Sequence, residues 1–457
     1  MTGRYQEYPE YKGSGVEWLE LLPSDWQTMK VKFLLKDGSE GIKIGPFGSA
    51  LKLEDMVQKG IRVYGQENVI KRDFTLGKRF ISQKKYNEMK VYTADEGDIL
   101  ITMMGTSGKC QVVPSDADLG IIDSHLLKIR TNKRILPELF RLLVDEAQEV
   151  KDQIGKQGKG SIMHGLNSTI VKDLEFPLPS VEEQRKILNF LNHETAKIDT
   201  LIAKQEKLIE LLKEKRQAVI SHAVTRGISS QGMPNAQMKD SGVEWLGEVP
   251  EHWVVSKFSY EIDFLEGPGI LAVDFHEEGI PLLRIQDVKE EFVTDNFKTF
   301  LDPVKVKQKW EHFKVEKGDL IISASASTGL ISEVGNRTVG AIPYTGLIRL
   351  KPISESITKD FIRFFVQSDL FFEQIKLFQT GSTIQHFGPI HLQQMKLVLP
   401  PVDEQIALTQ NIVKSINKID ALISNAESFI SLTKERKTAL ISAAVTGKID
   451  VRNWSQF

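Results

Sequence analysis

The sequence predicts two mixed α/β globular bodies in pseudo-two-fold tandem repeat, separated by two long antiparallel coiled-coil helices. Three observations carry that expectation. The phrase "KGSGVEWLELLPSDW" (12–26) recurs as "KDSGVEWLGEVPEHW" (239–253), at a constant offset of 227. Further matched segments follow in the same order to the end of the chain. Each copy closes on a segment of about 45 residues with helical periodicity.

Fixed-period self-similarity is the mark of a repeat architecture. "GIRVYGQENV" (60–69) answers "GIPLLRIQDV" (279–288), and "EGDILIT" (96–102) answers "KGDLIIS" (317–323). "HLLKIR" (125–130) answers "GLIRLK" (346–351). "GSIMHGLNSTIVKDLEFPLPSVEEQ" (160–184) answers "GSTIQHFGPIHLQQMKLVLPPVDEQ" (381–405). The offset drifts from 227 to 219 and settles at 221, as small loop insertions and deletions produce.

Within each copy the Trp-marked lead comes first, then a body of ordinary domain size. Short apolar runs bounded by Gly and Asp, "GDILITMMG" and "GDLIISASA", read as strands. "LPELFRLLVDEAQEVKDQIG" (136–155) and "ITKDFIRFFVQSDLFFEQIK" (357–376) read as helices. The closing helix starts at Ser180, which with Glu183 makes a capping box; Pro401 holds the Ser180 position in the second copy and suits a helix start. Apolar side chains then recur at Leu191, Ile198, Leu201, Ile202, Leu208, Ile209, Leu212 and Val219. The second copy repeats the seam at Ile412, Ile419, Leu422, Ile423, Phe429, Ile430 and Leu440. A small body cannot cover so long a seam, so each seam is expected to cover the other. The hydrophilic stretch 226–242 is a connector. Expected boundaries are a first body over 1–179, a central helix over 180–228, linker and second body over 229–400, and a last helix with its tail over 401–457.

Bulk composition excludes several classes. The 457 residues are 41% apolar and 26% charged, those of a soluble globular protein of two to four domains. No run is long and apolar enough to span a membrane, and the polar first residues lack the apolar core of a signal peptide. The single cysteine, Cys110, excludes a disulfide framework and a Cys-rich zinc site. The expected location is the cytoplasm, with no membrane partner.

Catalytic signatures fail one by one. "GTSGKC" (105–110) lacks the first Gly and the final Ser/Thr of a phosphate loop, with Met103 and Cys110 in their places. No Asn-Pro-Pro-aromatic or Asp-Pro-Pro-aromatic stretch marks an amino-methyltransferase. Asp73 with Glu88 and Lys90 loosely fits a nuclease pattern but has no counterpart in the second copy. His125, His164, His276, His386 and His391 show no metal-ligand spacing. No catalytic residue and no metal ligand is nominated.

Net charge is −2, yet from 41 to 90 eleven Lys/Arg face five Asp/Glu. The run "KRDFTLGKRFISQKKYNEMK" (71–90) interleaves bases with Phe74, Phe80 and Tyr86. It reads either as solvated surface or as a phosphate-tracking face. The turn "KIGPFGSALK" (43–52) puts Phe47 at the tip of a basic loop, either to touch bases or to fold back on its core. The paired loops "QGKGSIMHG" (157–165) and "FQTGSTIQHFG" (378–388) carry small hydroxyl and amide side chains suited to phosphates or base edges.

The doubled "SGVEWL" lead, the "GDIL/GDLI" strands, the doubled "EQ" helix start, the "KID.LI" seam, the "AVT" ending and the "GPFGSAL" turn together resemble one family. It is that of the specificity subunits of Type I restriction–modification systems. The resemblance covers essentially the whole chain. It implies that each body is a target-recognition domain reading one half of a bipartite site in double-stranded DNA. It implies that the helices space the halves and dock two methyltransferase (modification) subunits, which restriction/translocase subunits join. It further implies that the chain itself is no enzyme. It implies as well that no cofactor is bound by this chain, with S-adenosylmethionine, ATP and Mg2+ expected in the partner subunits.

A shared frame carrying divergent bodies predicts an asymmetric site. For the first body the nominated DNA-binding residues are Lys43, Phe47, Ser49, Lys52, Gln66, Asn68, Arg72, Arg79, Lys84, Lys85, Thr106, Ser107, Lys109, Lys159 and Ser161. For the second they are Arg284, Gln286, Lys305, Lys307, Lys309, Ser325, Ser327, Thr328, Ser382, Thr383 and Gln385. Lys and Arg are assigned to phosphates, the amides, hydroxyls and aromatics to bases. Trp18, Trp26, Trp245 and Trp253 are expected to fasten each lead to the shared frame rather than to read DNA. The alternative is a two-headed coiled-coil adaptor that binds no DNA.

Overall fold

The computed structural model describes residues 5–47, 50–158, 166–227, 237–244, 246–324, 330–378 and 387–455. The chain forms two compact units, residues 1–205 with 428–457, and residues 206–427. Each unit therefore holds one α/β body and a length of both long helices, rather than breaking at the helix starts.

In the first unit the lead forms a hairpin, Tyr11–Val16 against Leu19–Pro23. The body has a four-stranded antiparallel sheet in the order Cys110–Val112, Ile99–Thr102, Leu126–Ile129, Ile42–Ile44. A second sheet of five short strands is built on a parallel pair, Ile61–Tyr64 with Gly120–Ile122. The second unit repeats the plan. Ile262–Glu266, Leu347–Pro352, Leu320–Ser323 and Ile331–Glu333 make its four-stranded sheet, and Ile280–Leu283 pairs in parallel with Ile342–Pro343. The repeated "GD" begins the central strand in each body. Asp98 and Asp319 are buried, and their carboxylates close the preceding turn by accepting the amides of Asp95 (2.9 Å) and Glu316 (2.8 Å). Burial pushes the Asp319 carboxyl above its ordinary range.

Each body helix foreseen as one piece is two. Pro137–Asp145 is followed by Gln148–Gly158, and Lys359–Val366 by Asp369–Phe378. In the second unit Ser368 makes the break: its hydroxyl donates to Phe365 O (2.6 Å) and accepts from Phe371 N (3.4 Å), ending one helix and opening the next. In the first unit the amides of Glu146 and Ala147 both turn back to Leu142 O, closing the helix beside the buried Asp145.

The long helices run from Val181 to Arg226 and from Val402 to Val445, 46 and 44 residues. Ser180 Oγ caps the first by accepting Glu183 N (3.2 Å). The Glu183 carboxylate does not complete the expected box, because it accepts the buried Tyr8 phenol at 2.8 Å. The two helices pair antiparallel. In the first unit Phe190 meets Trp454 and Asp199 meets Lys437; in the second Arg216 meets Asp420, and the glycine that ends the central helix, Gly227, lies beside Glu404. Ile198, Ile202, Leu212, Ile412, Ile419 and Leu440 of the foreseen seam are buried. Leu201, Leu208, Leu422 and Phe429 are not; they stand exposed with Leu211 and Leu432. An antiparallel pair covers one stripe on each helix, and side chains at the stripe's edge stay outside it.

The lead tryptophans are structural. Trp26 is fully buried against Gly447, just past the end of the last helix, where Tyr11 also donates to Gly447 O (3.0 Å). Trp253 is fully buried against Gly227 in the same way. Both glycines have left-handed backbone, with φ of 76° at Gly447 and 77° at Gly227, the usual helix-ending conformation. Each lead thus packs on the end of the long helix that belongs to the other sequence copy. Trp18 is partly buried against the first core, and Trp245 lies outside the described residues.

Candidate nucleic-acid interface

Both bodies place a Gly-Pro turn against the strand end that follows the parallel pair. At Gly45 a Cβ would fall 1.8 Å from Asp123 O, and at Gly267 2.1 Å from Pro343 O, so only glycine fits. From this turn the first body projects Phe47, 72% exposed, and Leu53, 92% exposed; the second projects Leu271 and Val273. Lys43 lies on the adjoining strand with Nζ 5.7 Å over the Tyr92 ring. Lys52 is exposed and pairs with Glu54 at 3.0 Å. Gln66 is half-buried on the short helix Gln66–Lys71.

Much of the basic run is tied down inside the first body. Arg72, the one described non-glycine residue with positive φ (56°), reaches Asp145 at 3.2 Å and Glu146 at 2.8 Å. Lys109 meets the other oxygen of Asp145 at 2.9 Å. Arg79 bridges Asp123 at 2.9 Å and Glu67 at 3.2 Å, and Lys85 meets Asp55 at 3.1 Å. Asn68 is buried: it accepts from Gly65 N and donates to Asp73 O and Leu76 O, which holds a turn together and leaves no group facing solvent. Lys84, Thr106 and Ser107 are exposed. So are Lys71, Lys78 and Lys90, which were not nominated individually although they lie in the same run.

In the second body Arg284 is half-buried beside two rings, its guanidinium carbon 5.4 Å from the Phe275 centroid and 4.3 Å from that of Tyr344. Lys305 is paired with Asp274 and lies 5.6 Å over Trp310. Gln286, Lys307 and Lys309 are exposed. Ser49, Lys159, Ser161, Ser325, Ser327, Thr328, Ser382, Thr383 and Gln385 lie outside the described residues.

Four glutamines, two of them from the doubled "EQ" helix start and none nominated for a role, tie each copy together internally. Buried Gln184 accepts Leu136 N (2.9 Å) and donates to Arg134 O and Pro179 O; buried Gln405 accepts Thr358 N (2.8 Å) and donates to Ser356 O and Pro400 O. Gln153 pairs with both backbone groups of Glu175, and Gln374 with both of Lys396. Their recurrence at one offset, 221, was the available signal.

The geometry is thus two copies of one frame with different side chains on the exposed turns, and the comparisons agree with it. The model of the Type I restriction modification DNA specificity domain matches twice, over residues 40–211 and 280–431. The chain belongs to that family.

Among curated relatives, the MjaVIII specificity subunit of Methanocaldococcus jannaschii is 25% identical over 73% of this chain and 75% of its own length. The putative MjaX specificity subunit of the same organism is 24% identical over 94% of this chain and 95% of its own. The EcoKI specificity subunit of Escherichia coli is 21% identical over 66% and 65%. The same fold is seen in a chain solved in work on complex assembly and conformational transition of the type I R-M system. Its TM-score is 0.67 at 15% identity, over 94% of this chain and 99% of that one. The HsdS subunit from Thermoanaerobacter tengcongensis follows with 0.52 at 16% identity, over 94% and 98%.

In the second unit a cleft of about 990 Å³ is lined by Arg216, Lys289, Arg363 and Lys414 together with five carboxylates. Its charges largely offset one another. Among the described residues no helix is long and apolar enough to cross a membrane.

Proposed function

We propose that this chain is the DNA-recognition subunit of a Type I restriction–modification complex, with each body reading one half of an asymmetric, bipartite duplex site. The observation that carries the proposal is the double family match on two bodies of one topology whose exposed turns differ. In the first body the base readers are Phe47, Gln66, Thr106 and Ser107, with Lys43 and Lys52 at the phosphates. Lys71, Lys78 and Lys84 follow the phosphates, because they are exposed and a phosphate contact needs only a reachable cation. In the second body Arg284 and Gln286 read, and Lys307 and Lys309 follow the phosphates. Arg72, Arg79, Lys85, Lys109 and Lys305 have carboxylate partners to exchange before they can bind DNA. The long helices set the spacing between half-sites, at 3.4 Å of DNA per base pair.

The chain performs no chemistry in this reading. S-adenosylmethionine, ATP and Mg2+ act in methyltransferase and restriction subunits, in the cytoplasm. Two methyltransferase subunits dock on repeat-related apolar groups left exposed on the helices. These are Leu201, Phe429 and Leu432 in the first unit, and Leu422, Leu208 and Leu211 in the second. The test is co-purification with a methyltransferase subunit, followed by gel-shift on duplex DNA at low and moderate salt. Salt-dependent retardation with a sequence preference supports the proposal. Absence of any retardation by the assembled complex leaves the two-headed adaptor instead.

A further inference from the structure

We infer that Arg284 is a base reader of the second body, donating both arms of its guanidinium to a double-acceptor base edge, that of a guanine. The inference rests on the proposed DNA-recognition function and adds what Arg284 reads and through which atoms.

Arg284 differs from the other arginines nominated for DNA. Arg72 and Arg79 are each held by two carboxylates. Arg284 is held by ring faces, Phe275 and Tyr344, themselves edge-to-face at 6.1 Å. Among the described residues its guanidinium has neither an ion pair nor a hydrogen bond; its backbone alone is used, the amide donating to the Asp287 carboxylate at 2.7 Å and the carbonyl accepting Asp287 N at 2.9 Å. Contact with ring faces restrains a guanidinium without using its N–H groups. A planar fork held in this way matches the O6/N7 edge of guanine in the major groove, the commonest specific arginine contact.

The repeat supplies the contrast. In the alignment of 60–69 with 279–288, Gly65 stands where Arg284 does. A Cβ at Gly65 would fall 1.9 Å from Arg79 Nη2, so the first body brings a guanidinium to this place from elsewhere in the chain. There Asp123 and Glu67 take its donors, whereas Tyr344, one of the two rings beside Arg284, answers Asp123 in the second body. The same point on the frame is thus closed by carboxylates in one body and left as an open donor fork in the other. Phosphates are alike in every DNA, and exposed Lys307 and Lys309 suffice for them. A difference placed at one point of a common frame is what distinguishes two half-sites.

The test uses the full chain assembled with its methyltransferase partner. Wild type, Arg284→Lys, Arg284→Gln and Phe275→Leu are compared by base-resolution methylation mapping, and by binding to the mapped duplex with or without 7-deazaguanine at each guanine. Arg284→Lys keeps the charge and the aliphatic stem, so it guards against loss of folding. The expected result is one G·C pair in a single half-site at which removing N7 weakens wild type about ten- to a hundred-fold. Both Arg284 variants then accept other pairs at that position and ignore the 7-deaza substitution, Phe275→Leu loses discrimination there in part, and the other half-site is unchanged. Equal weakening on all sequences, with a salt slope shallower by about one, makes Arg284 a phosphate contact and overturns the inference while leaving the function standing. An unchanged map for Arg284→Gln also overturns it. A wild-type complex with no sequence preference overturns the function itself.

Discussion

Replacing Gln405 by Leu removes three hydrogen bonds at nearly constant volume. The side chain is fully buried; it accepts Thr358 N at 2.8 Å and donates to Ser356 O at 2.8 Å and Pro400 O at 2.9 Å. The substitution leaves one N–H and two C=O groups without their partner beside an apolar side chain, the Pro400 carbonyl buried and the Thr358 and Ser356 groups part-buried. A net hydrogen bond contributes about 1 kcal/mol, and an orphaned buried group costs about 1–3 kcal/mol. Shared relaxation makes these terms less than additive, so the expected loss is about 3–5 kcal/mol, a large part of a domain's usual stability. Thr358 also caps Lys359–Val366 through its hydroxyl, accepting Phe361 N at 3.2 Å, so that helix is expected to lose protection first. Calorimetry resolves the transitions, and hydrogen exchange over 354–366 locates the loss. Gln405→Glu keeps the acceptor but sets a carboxylate against two carbonyl oxygens; it is expected to be as damaging at neutral pH and partly relieved in acid, when protonation restores a donor. A loss below about 1 kcal/mol for Gln405→Leu, or no change in exchange over that helix, refutes the reasoning.

Gly447→Ala is expected to lower the melting temperature of the first unit by several degrees, because a Cβ meets Pro23 at 2.6 Å and the backbone is left-handed; differential scanning calorimetry reads it. Changing Lys78 and Lys84 together to Gln is expected to weaken binding of all duplexes alike and to make the salt slope shallower by about two, measured by fluorescence anisotropy across salt concentrations. Acid should loosen the first unit where the last helix ends. Burial opposes ionisation of Glu149, yet its bonds to Lys448 and Ser442 hold its carboxyl below the ordinary range. A depressed carboxyl stabilises fully above its unfolded pKa of about 4.3 and loses that contribution as pH falls through the folded value. Glu149→Gln should therefore flatten the decline in melting temperature below about pH 4.3; an unchanged decline refutes the assignment.

The duplication, the strands at "GDIL" and "GDLI" and the long helices were legible because periodicity and repetition are local to the chain. The partners of the lead tryptophans were not, since Trp26 packs on Gly447 only once the last helix has returned to the first unit. The breaks at Asp145–Gln148 and Val366–Asp369 escaped notice because the apolar pattern runs through them, while the hydrogen bonds that interrupt each helix are set by tertiary position. Nominating bases by residue type overlooked Asp123, Asp145 and Glu146, the buried or half-buried carboxylates that occupy Arg79, Arg72 and Lys109. The clamp on Arg284 joins Phe275 and Tyr344, 69 positions apart, and no local pattern links them.

The central claim, that the two bodies read two different half-sites, is tested most directly by base-resolution methylation mapping of DNA from cells carrying the complete system. The expected map is one bipartite motif, its halves unlike in sequence and separated by a spacer of fixed length and undefined bases. A continuous motif, a palindromic one or no motif contradicts the account.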